Sequence, residues 1–281
     1  MEYLGVDKAV NRKSPIVSVC IPTFQHGKFI TKCLDSVLAQ RTDFTFEIVI
    51  GEDDSTDGTR EICIQYADKF PDKIRLFLRD GSKKMMLYGR KSGRLNHLGL
   101  YEAARGEFIC ICDGDDYWID DNKLQIQFDV LEKNPEASLC ITDTLIEGQK
   151  VERPQGLPHE FKIFEPKELK KLIYMGHISS WMMRNRMQEM LQSPIIKKPI
   201  AMDNVIFNFY KLKGKTIFLP HKTSLYRFNP NGIFRGQKSI ANHKNNFRHN
   251  WYLFYYLHKD PIQLIRSMGY AAKRFCIEFF K

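Results

Sequence analysis

Two apolar stretches of this 281-residue chain run straight into carboxylates, and that pattern constrains the fold more than any other. Phe46–Ile50 leads into Glu52, Asp53, Asp54 and Asp57, and Phe108–Cys112 leads into Asp113, Asp115 and Asp116. A short, unbroken apolar run bounded by turn residues reads as a strand buried on both faces, as in a parallel sheet. The carboxyl ends of neighbouring strands in an open parallel sheet face one crevice, so the two acidic clusters are expected to meet there. Like charges in one crevice repel unless a cation lies between them. A divalent metal carrying a nucleotide diphosphate meets that requirement.

The rest of the pattern supports such a sheet. Ile16–Ile21, Ile74–Leu78 and Ala137–Thr142 read as further strands, and helical spacing appears at Phe29–Gln40, Gly58–Phe70, Leu95–Ala104 and Lys123–Glu132. Strand and helix alternate with short connections, which predicts right-handed βαβ units and an α/β fold with a mostly parallel sheet and helices on both faces. A basic, glycine-bearing loop spans Asp80–Gly93, and residues 145–165 lose periodicity and read as a surface loop. Beyond it come a helix near Pro166–Tyr174, an apolar segment Ile178–Met183, a helix over Asp203–Leu212, and two short strands, Thr216–Leu219 and Thr223–Phe228. The division expected is a catalytic domain over residues 1–235 and a basic, aromatic helical segment over 236–281.

A formal charge of +10 points to an anionic partner. The seven cysteines show no Cys-x-x-Cys and no zinc-finger spacing, and several lie in apolar runs, where a free thiol acts as a small hydrophobe. That use of cysteine predicts a reducing, cytoplasmic setting. No run reaches the roughly 18 to 20 apolar residues of a membrane span, and the N-terminus has no signal-peptide core.

Each acidic cluster has a plain structural role beside its chemical one. Asp113, Asp115 and Asp116 would cap the helix that starts near Asp121, but an Asp-x-Asp at a strand end also supplies the one or two hard oxygen ligands that Mg²⁺ or Mn²⁺ takes beside phosphate oxygens. Ser55, Thr56 or Asp57 would cap the helix from Gly58, which leaves Glu52, Asp53 and Asp54 unexplained. A carboxylate there can accept the N3–H of a pyrimidine such as uracil.

Val17–Phe24, Cys33–Gln40, Glu52–Thr59, Ala104–Ile109 and Asp113–Trp118, in that order, resemble family 2 glycosyltransferases of the GT-A fold, over roughly residues 16–230. The resemblance implies inverting transfer from a nucleotide-diphosphate sugar, with Mn²⁺ or Mg²⁺ as cofactor. It implies that Pro22, Thr23 and Phe24 contact the nucleoside and Asp53 the base, with Glu52 where the family often has Asp. Asp115 falls on the metal ligand, Asp113 near ribose or metal, and Arg90 or Arg94 on the cation that meets the diphosphate. Asp203, opening an apolar helix, falls on the acceptor-side acid that serves as base; as an ordinary first-turn acid it would also suit the helix dipole. His177 and Trp181 fall on the acceptor side, where Trp181 could stack on a sugar ring. Tyr226–Phe234 resembles the family's C-terminal Tyr-Arg loop, but carries Asn229 where a His often stands.

From His243 onward, seven cations face two acids and are interleaved with ten aromatic rings. Such a segment suits an anionic membrane surface near a lipid-linked acceptor, or else packs its rings on the catalytic domain. Two rival functions fit less well. A nucleotidyltransferase typically carries a glycine-rich, basic loop after the first strand, where this chain has Pro22–Gly27, and a nucleic-acid-binding protein would not present acidic strand ends to phosphate. Absence of membrane spans and of a Gln-x-x-Arg-Trp motif favours single-sugar addition to a glycan or lipid-linked acceptor over processive synthesis.

Overall fold

The computed structural model describes residues 1–5, 9–87, 90–147, 157–170, 172, 174–227 and 247–261, with positions 264, 265, 268 and 269. The strands are β1 (Glu2–Tyr3), β2 (Val17–Thr23), β3 (Phe46–Glu52), β4 (Ile74–Leu78), β5 (Met85–Leu87), β6 (Arg90–Ser92), β7 (Phe108–Ile111), β8 (Tyr117–Trp118), β9 (Ala137–Ile146), β10 (Lys162–Phe164), β11 (Trp181–Arg184) and β12 (Lys215–Tyr226). The helices are α1 (Ile30–Leu38), α2 (Thr59–Lys69), α3 (Arg94–Ala103), α4 (Lys123–Glu132), α5 (Pro166–Leu169), α6 (Met187–Leu191) and α7 (Met202–Tyr210).

Ten strands form one sheet in the order β1-β4-β3-β2-β7-β11-β9-β12-β10, with β8 paired to β12, and β5 and β6 make a separate hairpin in the basic loop. β4, β3, β2 and β7 run parallel, as do β9 and β12, while β11 is inserted antiparallel between β7 and β9. The expected α/β architecture is therefore present. Where two short strands were expected near the C-terminus there is one, β12, whose register shifts between Leu219 and Lys222 around Pro220. A proline sits there because a bulge tolerates the missing N–H.

Period-two alternation divides the core. Val17, Val19, Ile21, Ile48, Ile50, Phe108 and Cys110 face one layer with Ile30, Leu34 and Val37 of α1, Cys63 of α2 and Leu124 of α4. Cys20, Val49, Ile109 and Ile111 face the other, against Leu100 and Tyr101 of α3, Met187 and Met190 of α6 and Val205–Phe207 of α7. Glu47, a charge inside the apolar β3, is fully buried and held by Arg105 at 2.6 Å and the Ser18 hydroxyl at 2.7 Å. A buried carboxylate needs such partners. Among the described residues no helix is long and apolar enough to cross a membrane. The six described cysteines are buried free thiols, and Cys276 lies outside the described residues.

Part of the C-terminal segment is described. Residues 247–253 are helical and Phe254–His258 continue as a π-helical turn. Leu253 enters the α7 side of the core, with Tyr252, Tyr256 and Leu257 packed against it. Phe247, Trp251 and Tyr255, spaced four apart, stand exposed on the other face.

One expectation is overturned. Trp181 does not line an open acceptor surface: it is fully buried, its ring lies 5.4 Å from Tyr174 and 5.9 Å from Phe207, and its indole N–H donates to the Met175 carbonyl at 3.2 Å. An indole enclosed by core rings stabilises the sheet and cannot stack on a sugar. Trp181→Ala is expected to lower unfolding free energy by about 3–5 kcal/mol, read by denaturant unfolding. An unchanged midpoint would contradict the core placement.

Candidate active site

The acidic strand ends face one edge of the sheet but are not hydrogen-bonded neighbours. β2 runs between β3 and β7, so the two clusters are separated by about 10 Å, two strand spacings. The turn after β2 fills the gap and is stitched to both sides. The backbone N–H groups of Gln25, His26 and Gly27 donate to Ser55 Oγ, Thr59 Oγ1 and Asp57 Oδ2 at 2.9, 2.8 and 2.8 Å. Asp57, one residue before the Gly58 N-cap, also accepts the Thr59 N–H at 3.2 Å while holding this turn, and its hydrogen bonds keep its carboxyl below the ordinary pKa.

The first cluster divides by role. Glu52 is buried, accepts the Ser55 N–H at 2.7 Å and pairs with Arg60, which also reaches Asp54 at 3.3 Å. Glu52 thus braces its own loop. Asp53 turns the other way: its Oδ2 lies 3.2 Å from Lys84 Nζ, with both side chains under 10% exposed. Burial raises the Asp53 carboxyl above its ordinary pKa, with Lys84 opposing. Lys84 sits at the base of the β5–β6 hairpin and lies 3.4 Å above the centre of the Phe24 ring. Of the three residues expected at the nucleoside, Pro22 and Thr23 are buried and Phe24 alone exposes its ring.

The second cluster forms a turn held against the β2 loop. Gly114 donates to the Pro22 carbonyl at 3.1 Å, and a Cβ at Gly114 would come within 2.6 Å of Thr23 Oγ1 and 2.8 Å of His26 Nδ1. Only glycine fits that approach. His26 Nε2 lies 3.5 Å from Asp115 Oδ2, while its Nδ1 is 3.2 Å from Thr23 Oγ1. Burial lowers the His26 pKa, so the ring is neutral near pH 7 and orients Asp115 without neutralising it. Asp116 is buried and accepts the Arg227 N–H at 2.9 Å, and its other oxygen faces His177 Nδ1 at 3.7 Å. Burial lowers His177 to about 4, and its ring stacks on Tyr226 at 4.5 Å. The Arg227 guanidinium lies 4.9 Å from the Phe29 and Tyr117 rings.

Asp113 is pushed up to about 8 by burial and by the carboxylates of Asp115 and Asp203. Asp203, in the first turn of α7, therefore shares the field of the β7 acids although 90 residues separate it from Asp113. Its Oδ1 accepts the Asn204 N–H at 2.7 Å, and the Tyr174 hydroxyl also bonds it. Burial nonetheless raises its pKa. Among the described residues no three acid, histidine or cysteine side chains form a closed metal cage. Asp113 and Asp115 fit an ion that keeps open positions for phosphate oxygens, and their crowding is what such an ion relieves.

Of the two arginines expected at the diphosphate, Arg94 is buried and turned to backbone carbonyls of Ile196 and Ile200. Arg90 lies on β6, and its side chain is outside the described atoms. His26, Lys84 and Tyr174 join the site without being among the residues the sequence pointed to. Only the placement of His26 directly after the Pro22–Phe24 strand end offered a signal, since nothing local distinguishes Lys84 from the cations around it. Residues 228–234 of the Tyr-Arg loop lie outside the described residues.

Known proteins resemble this chain in sequence and in fold. A sequence model described as "Glycosyl transferase family 2" matches residues 18–191, more than half of the chain. An uncharacterised protein of Mycobacterium tuberculosis is 35% identical over 124 residues, 44% of this chain and 34% of that protein. The Escherichia coli enzyme named UDP-Glc:alpha-D-GlcNAc-diphosphoundecaprenol beta-1,3-glucosyltransferase WfgD is 31% identical over 119 residues, 42% of each chain. The chain thus spans about a third of the length of the first of these relatives and about two fifths of the second. Among solved structures, S. aureus TarS with UDP-GlcNAc superposes with TM-score 0.66 at 16% identity, covering 92% of this chain and 72% of TarS. The mannosyltransferase PcManGT of Pyrobaculum calidifontis, with GDP-Man and Mn²⁺, gives 0.57 at 16% identity, covering 94% and 75%. At that identity the structures speak for the fold, and the family match for membership: the chain belongs to glycosyltransferase family 2, with a GT-A fold.

Proposed function

We propose that this protein transfers a single sugar, with inversion, from a UDP-sugar to a hydroxyl of a glycan or lipid-linked acceptor. The observation that carries the proposal is the convergence of Asp113, Asp115 and Asp203, two acids from a strand end and one from a distant helix. The E. coli relative, named for a UDP-glucose donor and a diphosphoundecaprenol-linked acceptor, supports the choice of donor and acceptor class.

In this mechanism Phe24 offers a ring face to the base and Asp53 an acceptor to its N–H. Asp113 and Asp115 hold Mg²⁺ or Mn²⁺, which when bound offsets charge on the leaving diphosphate. Arg227, buried beside Asp116, adds a fixed cation on that side. Asp203 takes the proton of the acceptor hydroxyl as it attacks the anomeric carbon. Its raised pKa strengthens it as a base, while the Tyr174 and Asn204 hydrogen bonds keep the carboxylate aimed. His177 stands beside Asp116 on the acceptor side, neutral and able to bond a sugar hydroxyl.

The exposed stripe of Phe247, Trp251 and Tyr255 supports a contact with an anionic bilayer that brings the acceptor to the site. Replacing Trp251 and Tyr255 by Ser is expected to abolish flotation with vesicles rich in phosphatidylglycerol, leaving UDP binding intact. Flotation equal to wild type would remove the membrane contact.

Asp115→Ala is expected to eliminate Mn²⁺-dependent thermal protection by UDP. Asp203→Asn should retain that protection and lose about 10²–10⁴-fold in transfer rate, the usual worth of a general base. Normal transfer by the second variant would end the assignment of the base.

The acid cluster also predicts a pH dependence. The native Asp113 carboxyl binds a proton up to about pH 8, whereas an unfolded Asp releases it near 4, so in that window folding takes up a proton. In EDTA, stability should therefore rise as pH is lowered from 8 to 7, and Asp113→Asn should flatten the slope and raise the melting temperature at pH 8. A slope unchanged by the substitution would show that Asp113 is not the crowded group.

A further inference from the structure

Arg94 begins α3, where a cation opposes the helix dipole, and it is only 5% exposed. Both features cost stability, so the guanidinium needs compensating contacts. It finds them on one loop. Nη1 donates to the Ile196 carbonyl at 3.1 Å and lies 2.9 Å from Met202 Sδ, and Nη2 donates to the Ile200 carbonyl. Those acceptors span the seven-residue approach to Asp203, and Ile200 immediately precedes Ala201, the N-cap of α7. The same loop is held from outside by the C-terminal helix. The His249 ring donates to the Pro199 carbonyl, and Lys198 Nζ lies 5.2 Å from the Tyr256 ring.

We propose that Arg94 is a positioning residue for the acceptor-side acid: it clamps the Ile196–Met202 loop from within and so sets the Asp203 carboxylate against Asp113 and Asp115. This rests on Asp203 being the base. A planar fork reaches two carbonyls at once, which a lysine ammonium on a single flexible stem does not reproduce. The role differs in kind from a contact with the diphosphate, since the donors of the guanidinium point to the loop. A misplacement of about 1 Å at a reacting group costs on the order of a hundredfold in rate, so a small loss of grip shows in turnover.

The test compares Arg94→Lys, Asp203→Asn and the double variant, with UDP and Mn²⁺ as the binding probe and a sugar-transfer assay. Arg94→Lys should bind UDP as wild type does, with unchanged donor KM and thermal protection, and lose about ten- to a hundredfold in kcat. In the Asp203→Asn background the same change should cost little further, because the two act as one unit. Three outcomes overturn the inference. Weakened UDP binding in step with activity would return Arg94 to the diphosphate, an unaltered kcat would make it a purely structural residue, and full additivity in the double variant would mean that it does not act through Asp203. Normal transfer by Asp203→Asn alone would instead remove the base assignment on which the inference stands, and the inference with it.

Discussion

Mutual repulsion among carboxylates gathered at one edge of a parallel sheet is the constraint that organises this molecule. Burial, reinforced by the carboxylates of Asp115 and Asp203, keeps a proton on Asp113 well above the ordinary carboxylate range. Such an arrangement persists only if the surrounding fold holds it together. The scaffold is correspondingly over-determined. β2 separates the two acidic strand ends, three backbone N–H groups of its loop bond the α2 side, and His26 and the close approach at Gly114 tie it to the β7 side.

Within each cluster the acids differ in what they do, and their partners explain why. Glu52 and Asp57 accept local hydrogen bonds and brace a turn, and Asp116 is anchored to the Arg227 backbone. Asp53 instead faces Lys84 across the exposed ring of Phe24, and Asp115 faces a neutral histidine. Within the two strand-end clusters, the acids that accept backbone N–H groups brace the turns around them. Asp53 and Asp115 meet side chains contributed by other elements. The contacts of Lys84 with Asp53 and with the Phe24 ring also tie the basic hairpin to the first acidic cluster.

Most of the architecture was legible because periodicity is local. α1 shows its buried face through Ile30, Cys33, Leu34 and Val37, and β3 and β7 are unbroken apolar runs. Misjudgements arose where residue type was ambiguous without neighbours. Trp181 has the chemistry of a sugar platform and of a core residue alike, and only its enclosure by Tyr174 and Phe207 decides. Arg94 has the charge to meet a phosphate, yet its guanidinium is turned to carbonyls about a hundred positions away.

The amino-acid order alone determined the alternating α/β sheet, the acids at two strand ends and membership of a nucleotide-sugar family, because each depends on spacings of a few residues. Tertiary structure alone decided that β2 lies between the acidic tips, that β11 enters antiparallel, that Lys84 meets Asp53, and that Asp203 joins Asp113. Those facts depend on which distant segments share space, and distance along a chain carries no information about a contact until packing closes the loop between them.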